Sequence, residues 1–205
     1  FLNVDPKVIH DEKFKTGLTH KYLEKYNLKP DDIIFEITER SSIENADTFK
    51  TTIQHYKEQD FKIAIDDFGE GYAGINRVCA VMPDYIKLDM EIVRNIDKDS
   101  IKQTLVENLI RLCREIHVSM IAEGIETEEE LKELIRLEVP YGQGYFIKKP
   151  HEEMKDISKE CKDIINKHKI KNKKYNYEPS FWGYVGLISK PKDTTTANTP
   201  THALY

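Results

Sequence analysis

The feature that most constrains this chain is an alternation. Short runs at residues 1–4, 33–38, 61–65, 85–88, 118–122 and 145–147 are apolar and mostly branched or aromatic, and amphipathic stretches separate them. Such runs read as strands buried on both faces of a sheet. Strand–helix alternation predicts right-handed βαβ units and a parallel sheet. Two architectures satisfy it: a (β/α) barrel and an open doubly wound sheet. Between the strands, Phe49, Ile53 and Tyr56 fall at helical spacing, as do Leu105, Leu109, Leu112 and Ile116. Thr127 is placed to cap a helix over 128–137, with Glu130 completing a capping box.

The pattern changes after Pro150. Residues 152–169 read as a last helix, apolar at Met154, Ile157, Cys161 and Ile164. Residues 1–168 are expected to form one domain, 169–180 a basic solvated linker, and 181–205 a tail or the start of another domain. The 205 residues carry a net charge of −5, which gives no electrostatic case for duplex DNA. The cysteines at 79, 113 and 161 form no C-x-x-C pair, so a reducing cytoplasm is the expected setting. No apolar run approaches the roughly 18 residues needed to cross a bilayer. The first residue is Phe1 rather than Met, so the chain is expected to be a fragment or a processed product.

The chemistry lies where the strands end. Asn3 sits in the first run, Glu36 and Glu39 close the second, and Asp66 and Asp67 close the third. Lys87 lies in the fourth, Glu123 follows the fifth and Gln143 precedes the sixth. In parallel α/β folds the carboxyl ends of the strands converge on one crevice. A buried unpaired carboxylate is costly, so acids there are not explained by stability. Four carboxylates and an amide oxygen, with no His or Cys, favour hard cations such as Mg²⁺, Mn²⁺ or Ca²⁺ over zinc. The adjacent Asp66 and Asp67 suit two ions, which roughly 3.5–4 Å apart would clamp a phosphodiester. Lys87 is placed to hold water or a phosphate oxygen, and Glu123 is either ligand or proton acceptor. Each has a plainer alternative: the Asp pair as a helix cap, Lys87 as a snorkelling surface lysine, Glu126 as a helix-start acid.

Taken together, the motifs resemble the EAL domains, bacterial cyclic-di-GMP phosphodiesterases. The segment 66–72, Asp-Asp-Phe-Gly-Glu-Gly-Tyr, matches the family's loop signature. The asparagine strand at 2–4, the E-x-T-E strand at 35–39, the lysine strand at 85–89, Ala-Glu-Gly-Ile-Glu at 122–126 and Tyr-Gly-Gln-Gly-Tyr at 141–145 follow in family order. Six motifs in order are specific where one alone is weak. The resemblance covers about residues 1–150 and implies a modified eight-stranded barrel that hydrolyses cyclic di-GMP to linear pGpG with two Mg²⁺ or Mn²⁺ ions. It implies Asn3, Glu36 and Asp66 at one metal, Asp66 and Asp67 at the second, and Lys87 at the water and metal site. It implies Glu123 as ligand or base, Gln143 and Glu126 as supporting groups, and Glu39 as anchor of a lid loop containing Phe68, Gly69, Gly71 and Tyr72. It also implies a homodimer.

The family's E-A-L tripeptide lies upstream of the asparagine strand and is absent here, so the first barrel strands are expected to be missing and the activity of the fragment is left open. Glu70 stands where the family usually has Thr or Ala, and Ala73-Gly74 where it has Ser-Ser. Residues 184–189, with the threonines at 194–196 and Pro200, faintly resemble the opening of a CBS domain, with a disordered tail as the alternative. A receptor that holds cyclic di-GMP without cutting it is the main rival to the enzyme.

Overall fold

The computed structural model describes residues 1–10, 18–38, 46–69, 74–151 and 156–169. Among the described residues six strands form one sheet: β1 (Leu2–Asn3), β2 (Ile34–Thr38), β3 (Lys62–Phe68), β4 (Tyr85–Leu88), β5 (Ser119–Ala122) and β6 (Tyr141–Gly142). Every neighbouring pair is parallel, and the spatial order is the chain order. A doubly wound sheet reverses its order at a switch point. This sheet never reverses; each crossover steps the same way, as in the wall of a (β/α) barrel. The helices are α1 (Leu18–Lys25), α2 (Ala46–Lys57), α3 (Gly74–Val81), the single turn α4 (Met90–Val93), α5 (Ser100–Glu115), α6 (Glu128–Arg136) and α7 (Lys159–Lys169).

The period of two along each strand separates two chemistries. Phe35, Ile37, Ile63, Ile65, Ile86, Leu88, Met120 and Ala122 share one face and are buried in the main apolar core. Burying each of the larger side chains contributes about 1.5–3 kcal/mol. Helix α2 seals part of this face with Phe49, Ile53 and Tyr56, and the Tyr56 ring lies 4.3 Å from that of Phe35. The other face carries Glu36, Asp66 and Lys87.

Two element boundaries and one buried helix face differ most from the sequence reading. The sixth strand is Tyr141–Gly142, not 145–147, because Ile121 and Ala122 of β5 pair with those two residues. Residues 145–147 turn back on Gly144, whose carbonyl accepts from the amides of Ile147 and Lys148. Gln143 therefore follows the sixth strand instead of preceding it. Helix α5 buries Val106, Leu109, Ile110 and Cys113, while Leu105 is 43% exposed. Its apolar residues offer two overlapping stripes, and packing selects the one ending at the small Cys113. Helix α7 starts at Lys159, where Ser158 Oγ accepts from the Cys161 amide as an N-cap, and residues 156–158 are not helical. It runs through Lys169, the first residue of the expected linker; the rest of that linker and the segment 181–205 lie outside the described residues. Among the described residues no helix is long and apolar enough to cross a membrane.

Candidate active site

The site begins with a β-bulge. Between Ile65↔Ile86 and Phe68↔Leu88, three steps along β3 match two along β4. The extra residue is accommodated at Asp67, which adopts φ 56°. Asp is among the few side chains that tolerate this left-handed region. In a regular strand Asp66 and Asp67 would face opposite ways; a bulge re-aims a side chain. Here Asp66, Asp67 and Glu123 each offer a carboxylate oxygen, all within 4.8 Å of one another.

Lys87 sits at the centre of the cluster and is 4% exposed. Its ammonium lies 2.8 Å from Asp66 Oδ1, 2.7 Å from Glu123 Oε1 and 2.5 Å from Glu36 Oε1. The Glu36 contact is close but lacks hydrogen-bond alignment, so that buried oxygen has no directed donor. Gln143 Nε2 donates to Glu123 Oε1, and the backbone guides both residues: Glu123 N–H donates to Leu88 O and Gln143 N–H to Ala122 O. Four of the converging side chains thus come from β2, β3, β4 and the end of β5.

The electrostatics are unfinished. Burial alone would depress the Lys87 pKa, but Glu123, Glu36 and Asp66 overcome it and hold the ammonium firmly protonated. Burial, reinforced by the Asp66 charge, pushes the Glu123 carboxyl up to about 7 even though Lys87 pulls the other way. Among the described residues the Lys87 ammonium contacts three carboxylates, and Asp67 brings a fourth close to Asp66 and Glu123. An all-oxygen donor set, a close carboxylate trio and the undirected Glu36 oxygen fit hard divalent cations.

Asn3 is exposed and stands opposite Glu36 in the β1–β2 register. Glu126 pairs with Arg94 at the surface rather than with the acids. Phe68 is the last residue of β3 and is buried in the core, so it belongs to the strand and not to a loop. Gly69 follows at φ 118°; Glu39, Gly71 and Tyr72 lie outside the described residues. Tyr85 and Tyr141, not singled out from sequence, share the Lys87 face by strand parity. Their rings meet edge-on 6.1 Å apart, and Phe1 meets Tyr85 at 6.5 Å. Counting by two from Lys87 would have found Tyr85. Glu130 was read only as a helix cap, although it is buried.

Comparison with known proteins agrees with this geometry. Residues 1–150 match the model of the EAL domain. A cyclic di-GMP phosphodiesterase of Escherichia coli, PdeF, is 34% identical over 149 residues, covering 73% of this chain and 20% of that protein. Among solved structures, a Klebsiella pneumoniae protein in complex with calcium and cyclic di-GMP superposes with TM-score 0.71 at 31% identity, covering 76% of this chain and 40% of the other. A standalone EAL protein of Vibrio cholerae, solved with cyclic di-GMP bound, gives 0.65 at 32% identity, over 70% of this chain and 61% of the other. The chain spans about a fifth of the curated relatives it matches.

Proposed function

The chain belongs to the EAL domain family, and from that premise we propose that it hydrolyses cyclic di-GMP to linear pGpG with two divalent ions, Mg²⁺ or Mn²⁺. The observation that carries the reading is the meeting of Glu36, Asp66, Asp67 and Glu123 around Lys87. A receptor has no need of so many repelling acids at one point.

Asn3, Glu36 and Asp66 would hold one ion, and Asp66 with Asp67 the second; Glu123 is the further candidate ligand. Such ions supply charge neutralisation for the phosphodiester and a water of lowered pKa. The chain's own groups do the rest. Lys87 sits where it would hold the attacking water or a non-bridging phosphate oxygen. Glu123 would accept the water's proton, a role favoured by the burial and the Asp66 charge that raise its carboxyl above the ordinary value. Gln143 orients Glu123 by donating to Oε1. Water oxygen bonds to phosphorus, one P–O3′ bond breaks, and the departing oxygen takes a proton. Glu39 would anchor the lid loop that contains Gly69, Gly71 and Tyr72, as the family resemblance implies. Pairing of two copies rests on the same resemblance, and work in the cytoplasm on the unpaired Cys79, Cys113 and Cys161.

The test is to incubate the chain with cyclic di-GMP and Mn²⁺ and to separate the products. We expect pGpG, and Asp66→Ala should lower turnover by at least about 10³-fold, since the loss of a metal ligand removes the charge clamp. Tight binding without product selects the receptor reading; near-normal turnover of the variant rules out the metal role of Asp66.

A further inference from the structure

Glu130 is 1% exposed and takes no part in the proposed chemistry. Its carboxylate accepts three backbone amides: Asn95 at 2.9 Å on Oε1, and Glu126 at 2.9 Å and Thr127 at 3.1 Å on Oε2. The bond to Thr127, with Thr127 Oγ1 accepting from the Glu130 amide at 3.2 Å, is an ordinary capping box on α6. The bond to Asn95 is not. Asn95 belongs to the segment after β4, which carries Lys87; Glu126 and Thr127 belong to the loop after β5, which leads from Glu123. One side chain therefore ties the two strand ends together.

The tied segment lies against the glycines that follow both halves of the acid cluster. A Cβ on Gly124, the residue after Glu123, would lie 2.6 Å from Met90 Cβ. A Cβ on Gly69, three residues after Asp66, would lie 2.3 Å from Ile92 Cδ1. The α4 turn is thus pressed between the ends of β3 and β5. Further groups hold it there. Asp89 caps its start, Lys102 Nζ donates to the carbonyls of Glu91 at 2.5 Å and Arg94 at 2.7 Å, and Arg94 pairs with Glu126. Arg94 leaves the helix at ψ 122°, which sets the Asn95 N–H toward Glu130, and Asn95 itself sits at φ 55°. Of these groups the Glu130 carboxylate alone bonds to the backbone on both sides while buried, and bonds of an ionised group to amides are strong ones.

We infer that Glu130 is a positioning residue that fixes the separation of Lys87 and Glu123 through the backbone amides of Asn95, Glu126 and Thr127. The inference uses the proposed phosphodiesterase for its kinetic readout. Displacements of about 1 Å can cost of the order of 10²-fold in rate.

Thr127→Ala is the control, because it removes half of the capping box and leaves the three amide bonds to the carboxylate. Each variant is assayed with cyclic di-GMP and Mn²⁺ well below its melting temperature, and Mn²⁺ affinity is measured separately by electron paramagnetic resonance. We expect Thr127→Ala to keep kcat and Mn²⁺ affinity within about twofold of wild type. Glu130→Ala should lower kcat at least about tenfold with KM within about threefold, and should weaken Mn²⁺ binding at least about fivefold. Glu130→Gln preserves volume and one acceptor, so it serves where alanine does not fold. It can satisfy Asn95 or the capping box but not both, and its kcat should fall at least about threefold. Glu130 variants that match Thr127→Ala in both readouts overturn the inference. A wild-type chain that binds Mn²⁺ without hydrolysis sinks the functional reading alone, and Mn²⁺ affinity then decides the role of Glu130. A wild-type chain that binds no Mn²⁺ overturns both.

Discussion

Glu123 and Glu130 stand seven residues apart, both with largely buried carboxylates, and the fold treats them in opposite ways. Burial raises the pKa of each. At Glu130 three backbone amides overcome burial and hold the carboxyl below its ordinary value. At Glu123 burial prevails, the Asp66 charge adds to it, and Lys87 offsets only part, leaving the carboxyl near 7. Backbone donors cost nothing in charge and stay at fixed positions, so Glu130 is a completed structural site. Glu123 is surrounded by side chains of its own sign, with one shared ammonium. Such a site is stable only with a cation in it, and among the described side chains Lys87 supplies one.

Removing that cation should break the comparison most violently. Lys87→Met leaves Glu36, Asp66 and Glu123 facing one another in a buried layer. Stripping one partner from a buried ion pair costs about 3–5 kcal/mol. For a domain of this size each kcal/mol moves the melting temperature by roughly 2–4 °C. We expect the metal-free variant to melt roughly 10 °C below wild type in EDTA, by circular dichroism, and to recover more on adding Mn²⁺ than wild type does. Equal melting of the two in EDTA would mean the acids are not under electrostatic strain, and the contrast with Glu130 would fall.

The second test is pH, where the two carboxylates should pull in opposite directions. The Glu123 pKa rises from 4.5 to about 7 on folding, so the native state binds the extra proton between those values. Stability of the metal-free chain should therefore fall as pH rises from about 4.5 to 7. The Glu130 pKa is lowered on folding, so its contribution is present above the ordinary carboxylate range and is lost as pH falls through its folded value. The melting temperature in EDTA should peak at weakly acidic pH. Glu123→Gln should flatten the upper limb and leave the acid limb. An upper limb that survives this substitution assigns the slope to another group.

How much of this was legible in the chain depends on whether the determining contact is local. The apolar face of Phe35, Ile37, Ile63 and Ile65 and the polar ends at Glu36, Asp66, Lys87 and Glu123 follow from a period of two, and the strands align them as read. Strand β6 was misplaced because two residues carry no period; pairing with Ile121 and Ala122 defines it. The bulge at Asp67 was illegible for a related reason, since an Asp-Asp pair reads equally as a turn or a cap. In α5 the apolar residues were visible, but which stripe faces the sheet is decided by packing. Glu130 shows the boundary most clearly. Its bond to Thr127 is written in the local Thr-x-x-Glu spacing, whereas its bond to Asn95 spans 35 positions and leaves no local trace.

The smallest expected effect isolates the two halves of that capping box. Thr127→Ala removes the hydroxyl that accepts from the Glu130 amide at 3.2 Å. Loss of such a cap costs about 1 kcal/mol, or roughly 2–4 °C in melting temperature. The Glu130 carboxylate keeps its three amides in this variant, so the whole pH profile in EDTA should shift down in parallel, with the acid limb intact. Glu130→Gln, by contrast, has no carboxyl to titrate and should flatten that limb. If Thr127→Ala flattens it as well, the low Glu130 pKa depends on the capping threonine rather than on the amides of Asn95, Glu126 and Thr127. The tie between the two strand ends would then lose its energetic basis.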